Sequence, residues 1–312
     1  MKWSRGLVFK LAVSVALITF LIVRYGRDPE FRAVLAGLDP TALAGAGGVV
    51  LVGLALSGVR WKVLLAAAGV QLPFVRALQL YLVGYFFNFF LPTTVGGDVA
   101  RGMGAASWGP LSVVGASILV ERLLGFACLL ILGLTGSMRV ENLAVARGVL
   151  LTASAAFLTG VAILLFAPIP EPRGDGRVAR ALAGLRRTAL AVRGYGFRPG
   201  ALLAGFLLSF GWQGGLVVSN AWLSRGLGGV APTGDLMALV PVVQAITMIP
   251  ISFGGLGVRE MGYEYFFRVS GHDPAGAVAL GAAWLALTIL VALLGGIVYL
   301  VSPFGRARTG EG

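Results

Sequence analysis

Phe89-Phe90-Leu91-Pro92-Thr93-Thr94-Val95-Gly96-Gly97-Asp98-Val99-Ala100-Arg101 and Met248-Ile249-Pro250-Ile251-Ser252-Phe253-Gly254-Gly255-Leu256-Gly257-Val258-Arg259-Glu260 follow one grammar. In each, an apolar run stops at a proline, a hydroxyl residue follows, glycines stand four and five positions past the proline, and an arginine nine past it (101 − 92 and 259 − 250). The two prolines are 250 − 92 = 158 residues apart, about half of the 312-residue chain. A unit used twice at that spacing predicts an internal two-fold repeat, with halves of about 1–140 and 145–305 in one membrane domain, 1–312.

That this unit lies in a bilayer follows from composition. The chain is 57% apolar and 12% charged, with a mean hydropathy of +0.89, whereas soluble domains carry about a quarter charged residues. Its net charge of +12 belongs in loops beside anionic headgroups, because apolar spans cannot hold it. Nothing interleaves arginines and aromatics along a soluble face, so no nucleic-acid partner is expected. A single cysteine, Cys128, and a single histidine, His272, leave no thiol or multi-histidine metal site, and no metal or cofactor is expected. Neither a nucleotide loop nor a Ser-His-Asp grouping is present, so transport is expected rather than catalysis. Met1 to Arg5 and the apolar run after them read as an uncleaved first span.

Six stretches are long and apolar enough to span: Leu7 to Val23, Thr41 to Leu65, Leu111 to Gly136, Val149 to Ala167, Ala201 to Leu223 and Ala277 to Val301. Leu78 to Leu91 and Leu236 to Ile249 are only 14 residues each before the proline of the turn motif, the length of half-helices. Each leads through its Gly-Gly turn into a further short helix, Val99 to Ala106 or Val258 to Val269. The expected fold class is therefore an all-α polytopic membrane protein, a bundle of about six full spans plus two re-entrant helical hairpins. Irregular backbone at membrane depth is tolerated only inside protein or beside a wet cavity, so the hairpins mark the functional interior.

The link at 168–200 carries Arg173, Arg177, Arg180, Arg186, Arg187, Arg193 and Arg198 against Glu171 and Asp175, which places it in the cytoplasm. If each hairpin returns to its own side, both termini are cytoplasmic and three crossings per half make the repeat inverted; if each crosses, the repeat is parallel. Within the link, Val178, Leu182, Leu185 and Ala189 recur at helical spacing, either as an interfacial amphipathic helix or as a solvated linker.

The chemistry-bearing residues cluster at these turns. Gly96, Gly97, Gly254, Gly255 and Gly257 allow close backbone approach, and the following helix N-termini favour an anion. Arg101 and Arg259 are expected in the first turn of those helices, where each adds a guanidinium suited to phosphate; alternatively the glycines serve packing and the arginines snorkel. Asp98 reads as an N-cap. Asn88 either satisfies carbonyls freed by Pro92 or contacts ligand. Glu121 and Arg122 sit mid-span, where a charge costs about 3 kcal/mol unless compensated. As helix neighbours about 100° apart they need other partners: Arg101 or Arg259 for Glu121, and Asp98 or Glu260 for Arg122. Glu260 and Glu264 share one helix face and are candidates for proton coupling.

Asn88-x-x-Leu91-Pro92, Gly96-Gly97-Asp98-x-x-Arg101, Glu121-Arg122-x-x-Gly125 and Pro250-x-x-x-Gly254-Gly255-x-Gly257-x-x-Glu260 together resemble the flippase-like membrane domain of lysylphosphatidylglycerol synthases. The resemblance runs over nearly the whole chain. It implies a multi-pass protein of a prokaryotic plasma membrane that moves or helps process lipids, with anionic phospholipid or polyprenyl phosphate as partner. Only eleven residues follow Val301, so lysine transfer from tRNA is not carried over. Two other readings stand beside a translocator: a membrane transferase or accessory subunit for lipid-linked sugars, and a small-anion secondary transporter. A membrane enzyme is the protein partner to expect, docked at the basic cytoplasmic face.

Overall fold

A computed structural model describes residues 15–16, 19–90, 96–138, 140, 142–171, 176–248, 252 and 255–302. Among these residues the chain is helical and no strand occurs. In order the helices are α1 (Pro29–Ala36), α2 (Pro40–Ala67), α3 (Phe74–Phe90), α4 (Gly96–Gly104), α5 (Leu111–Ser137), α6 (Ala144–Phe166) and α7 (Arg177–Arg193), then a 3-10 turn (Gly194–Phe197), α8 (Pro199–Gly226), α9 (Thr233–Thr247), α10 (Val258–Val269) and α11 (Pro274–Val301).

Five of them, α2, α5, α6, α8 and α11, are 23 to 28 residues long and apolar enough to cross a membrane. They correspond to five of the six spans read from sequence. The sixth, Leu7 to Val23, lies largely outside the described residues, although 19–25 are helical. The two short apolar helices expected before the turns are α3 and α9. Helix α9 continues through Pro241, with a buried face on nearly every residue from Leu236 to Val243.

Helix starts follow local chemistry. Asp39 caps α2, with Pro40 at its first position, and accepts from the Thr41 N–H at 2.8 Å and the Thr41 hydroxyl at 2.6 Å. Those bonds hold its carboxyl below the usual range. Asp273 does the same for α11, accepting from the N–H groups of Ala275 at 3.1 Å and Gly276 at 2.6 Å.

In a bilayer, helices gain little from excluding water and associate by close packing instead. Helix α11 is the most buried of the five spanning helices: α3 and α10 both lie along it, and Trp284, Leu287 and Val291 join the principal apolar core with Leu239, Phe267 and Leu223. Backbones touch where side chains vanish. A Cβ on Gly295 would lie 2.0 Å from the Leu82 carbonyl oxygen, and one on Gly136 2.6 Å from Met237 backbone. The contacts cross the sequence midpoint in both directions. Helix α3 from the first half packs on α11, and α9 from the second half packs on α5. Helix α6, by contrast, is scarcely covered by protein.

Both turn motifs are flanked by antiparallel helix pairs. In the first, Gly84 faces Arg101 and Asn88 faces Gly97 across α3 and α4. In the second, Val243 faces Gly262 and Thr247 faces Gly255 across α9 and α10. The turns themselves, 91–95 with Pro92 and 249–251 with Pro250, lie outside the described residues, as does Gly254.

Candidate functional site

Three helices bring five charges together. Helix α2 contributes Arg60, α4 contributes Asp98 and Arg101, and α5 contributes Glu121 and Arg122. Glu121 is shared: its Oε1 accepts from Arg60 Nη2 at 2.5 Å and its Oε2 from Arg101 Nη1 at 2.9 Å. Asp98 is shared as well, accepting from Arg101 Nη2 at 3.1 Å and from Arg122 Nε. Arg60 also donates to Ser209 Oγ on α8 at 2.8 Å. The Arg101 guanidinium lies 4.6 Å from the Trp61 ring and 4.2 Å from that of Tyr81, a cation seated in the corner that the two near-perpendicular rings form.

Burial makes this alternation necessary. Arg60, Arg101 and Glu121 are only 5%, 4% and 4% exposed, and an isolated charge there would carry a large desolvation cost. With three guanidiniums against two carboxylates, the formal balance is 3 − 2 = +1.

The first hairpin supports the network. A Cβ at Gly97 would stand 2.0 Å from the Gly84 carbonyl oxygen and 2.6 Å from Asn88 Cγ, so glycine is the residue that fits. The Asn88 side-chain oxygen accepts from the Gly97 N–H at 2.8 Å. It thus satisfies an amide at the start of α4; the segment around Pro92 lies outside the described residues. Replacing Asn88 by alanine should cost about 1 kcal/mol, read as a lower unfolding midpoint in detergent, with aspartate, which keeps the acceptor, much closer to the parent.

The second hairpin is built differently. Gly257 starts α10 with φ +80°, a conformation that suits glycine, and Glu260 Oε2 accepts from its N–H at 2.8 Å. The other oxygen of Glu260 is buried with no hydrogen-bond partner among the described residues. Gly255 also has φ +79°. Glu264 accepts from the Tyr25 hydroxyl at 3.1 Å and pairs with Arg268 at 3.2 Å. No salt bridge to Arg259 forms among the described residues, and its Nε is buried without a hydrogen-bond partner.

A partly open cavity runs between the two hairpins. One chamber, of about 270 Å³, is lined by Arg60, Tyr81, Asn88, Gly97, Asp98, Arg101, Glu121 and Arg122. A second, of about 230 Å³, is lined by Arg259, Gln244, Trp284 and Thr288. Tyr85, Leu129, Trp212, Gln213 and Met248 border both, so the chambers are contiguous. At roughly 30 Å³ per water, each has room for a polar headgroup. Besides Arg259 Nε, the buried donors Arg60 Nε and the Tyr81 hydroxyl have no partner among the described residues. No group of three His, Cys, Asp or Glu able to hold a metal occurs among them.

Residues 7–296 match the family described as Lysylphosphatidylglycerol synthase TM region. The chain belongs to this family. It is a multi-pass membrane protein whose family points to a membrane lipid-related function. Comparison with curated proteins finds no match, and comparison with solved structures finds none.

The geometry alters several sequence expectations for this family member. Of the partners considered, Glu121 takes Arg101 rather than Arg259, and Arg122 takes Asp98 rather than Glu260. The charge network therefore belongs to α2, α4 and α5, and the second hairpin stands outside it. Asp98 is not an N-cap, because α4 already starts at Gly96. Arg101 falls in the last turn of α4, not the first, while Arg259 is in the first turn of α10. Gly96 and Gly97 are buried at the start of α4. His272 is paired with Asp235 at 2.8 Å, which ties its loop to α9.

Arg60 escaped the sequence reading, yet it is the charge that anchors Glu121 from α2. The signal was present as an arginine inside the apolar stretch Thr41 to Leu65, where an ionisable residue is functional by default. Tyr81, Gln213 and Gln244 had no such signal, since uncharged polar residues are ordinary in spanning helices.

Proposed function

We propose that this protein translocates a lipid with a phosphate headgroup between leaflets, binding the headgroup in the cavity between the two hairpins while the tails stay in the bilayer. Arg259 carries this reading. A cation lining a cavity, with a buried donor and no carboxylate partner among the described residues, is suited to an incoming anion. Arg101 is already committed to Glu121 and Asp98, so its role is to fix the far wall and keep the site's balance at +1, with Arg122 at the rim. Asn88, Gly96 and Gly97 shape that wall, and Gly255, Gly257 and Glu260 position Arg259. The hairpins act as re-entrant elements of two inverted halves that rock about the site, in a prokaryotic plasma membrane with both termini cytoplasmic. Lipid-linked sugar transfer would need a free acid or base, and both Asp98 and Glu121 are held by two guanidiniums each.

The test is leaflet exchange in liposomes, with head-labelled anionic phospholipid and labelled polyprenyl phosphate. Exchange should exceed that of protein-free vesicles for at least one of the two. Arg259→Ala should lower it tenfold or more, since a hydrogen bond to a charged group contributes about 1.5–3 kcal/mol. Arg259→Lys should recover part of the rate. Wild-type exchange no faster than empty liposomes would end the translocator reading, and a folded Arg259→Ala protein at the parent rate would remove Arg259 from it.

A further inference from the structure

The Asp98–Arg122 ion pair has a different space on each of its sides. Inward is the polar chamber with Arg101 and Glu121. Outward is a groove of about 470 Å³ between α4 and α5, whose other walls include Val99, Met103, Leu111, Ile118 and Leu119. Asp98 and Arg122 line both spaces. The groove is open to the surroundings, with Val99, Met103 and Leu111 55%, 67% and 60% exposed. Two glycines keep it open. A Cβ on Gly102 would meet only Ile118 Cδ1 at 3.6 Å, and one on Gly115 only Thr188 at 3.7 Å or beyond, both ordinary contact distances.

We propose that this groove seats an acyl chain of an anionic phospholipid and that the Asp98–Arg122 pair is a lateral door through which the headgroup passes from the groove to the polar cavity. The proposal rests on the translocator reading for its purpose, but concerns a separate place and a separate step. An apolar trough and a polar chamber divided by one ion pair match the two ends of an amphiphile. Free phosphate would have no use for the trough.

The charges allow the door to open without a bare ion. The Arg122 side chain is 39% exposed against 12% for Asp98, so Arg122 is the half that faces the surroundings. When it turns to a lipid phosphate it exchanges one anion for another, and Asp98 keeps Arg101 at 3.1 Å. The groove between α6 and α7, though larger at about 1060 Å³, offers no such passage. Its Arg193 is taken up by the Leu164 and Ala167 carbonyls and its Arg186 by Glu171, and it shares no wall residue with the polar cavity.

The deciding experiment is photolabelling of the full chain in vesicles containing phosphatidylglycerol with a diazirine midway along one acyl chain, followed by peptide mapping. Adducts should concentrate on 99–103 and 115–119, at several times the yield on the lipid-facing surfaces of α6 and α11. The same diazirine on phosphatidylcholine should label this site several-fold less. Gly115→Trp and Gly102→Leu, which fill the trough without touching a charge, should each lower the yield at least fivefold while the protein still elutes as a folded species. Uniform labelling of the lipid-facing helices, or groove adducts unmoved by both filled variants, would overturn the proposal. Labelling reports seating and exchange reports transfer. Groove adducts without exchange would leave this site standing and remove translocation, whereas exchange with an unlabelled groove would do the reverse.

Discussion

Glu121→Met is expected to destabilise the protein by about 3–5 kcal/mol, the cost of stranding buried charge. Glu121 is the only carboxylate paired with Arg60 among the described residues, and it shares Arg101 with Asp98. Its loss leaves two guanidiniums, each at most 5% exposed, short of a counter-charge. The effect should be strongly non-additive. Adding Arg60→Met removes the cation left alone, while Arg101 keeps Asp98, so the double variant should be more stable than Glu121→Met by itself. Unfolding midpoints in detergent, followed through tryptophan fluorescence, measure this directly, since Trp61 stacks on Arg101. A single variant within about 1 kcal/mol of the parent, or a double variant equal to the sum of the singles, would show that the five charges do not act as one network.

Gly97→Ala is the second large effect. The new methyl group would stand 2.0 Å from the Gly84 carbonyl oxygen and 2.6 Å from Asn88 Cγ. Backbone on one side leaves no flexible group to yield, so α3 and α4 must separate. The cost belongs at or beyond the upper end of the roughly 1–3 kcal/mol typical of overpacking. It should be accompanied by loss of lipid exchange, because α4 carries both Asp98 and Arg101. Gly84→Ala is the control: its Cβ would approach the Gly97 carbonyl oxygen only to 3.1 Å, and should cost distinctly less. Equal stability of the two variants would contradict the close approach of these helices.

Much of the fold was legible because spanning a bilayer constrains sequence so tightly. A helix must satisfy its own backbone and stay apolar for about 20 residues, and hydropathy therefore gives the positions of α2, α5, α6, α8 and α11 to within a few residues. The prolines and paired glycines likewise announce two short helix pairs. Charge partners were less legible. Glu121 and Arg122 declare themselves as mid-span charges, but which of several equally spaced opposite charges they meet depends on how α2 and α4 lean on α5. That is why Arg60 was missed and why Arg259 and Arg101, alike in motif, differ in the structure.

From the sequence alone come the membrane class, the family resemblance, the two turn motifs and the need for buried charges to find partners. Those follow from local composition and from the energy of polar groups in hydrocarbon, which are properties of the chain read residue by residue. Tertiary structure decided that Arg101 is neutralised twice while Arg259 makes no salt bridge among the described residues, and that one cavity joins them. The difference is physical. An ion pair is fixed by distances of a few ångströms between side chains up to 61 residues apart, as for Arg60 and Glu121, and only the packing of whole helices sets those distances.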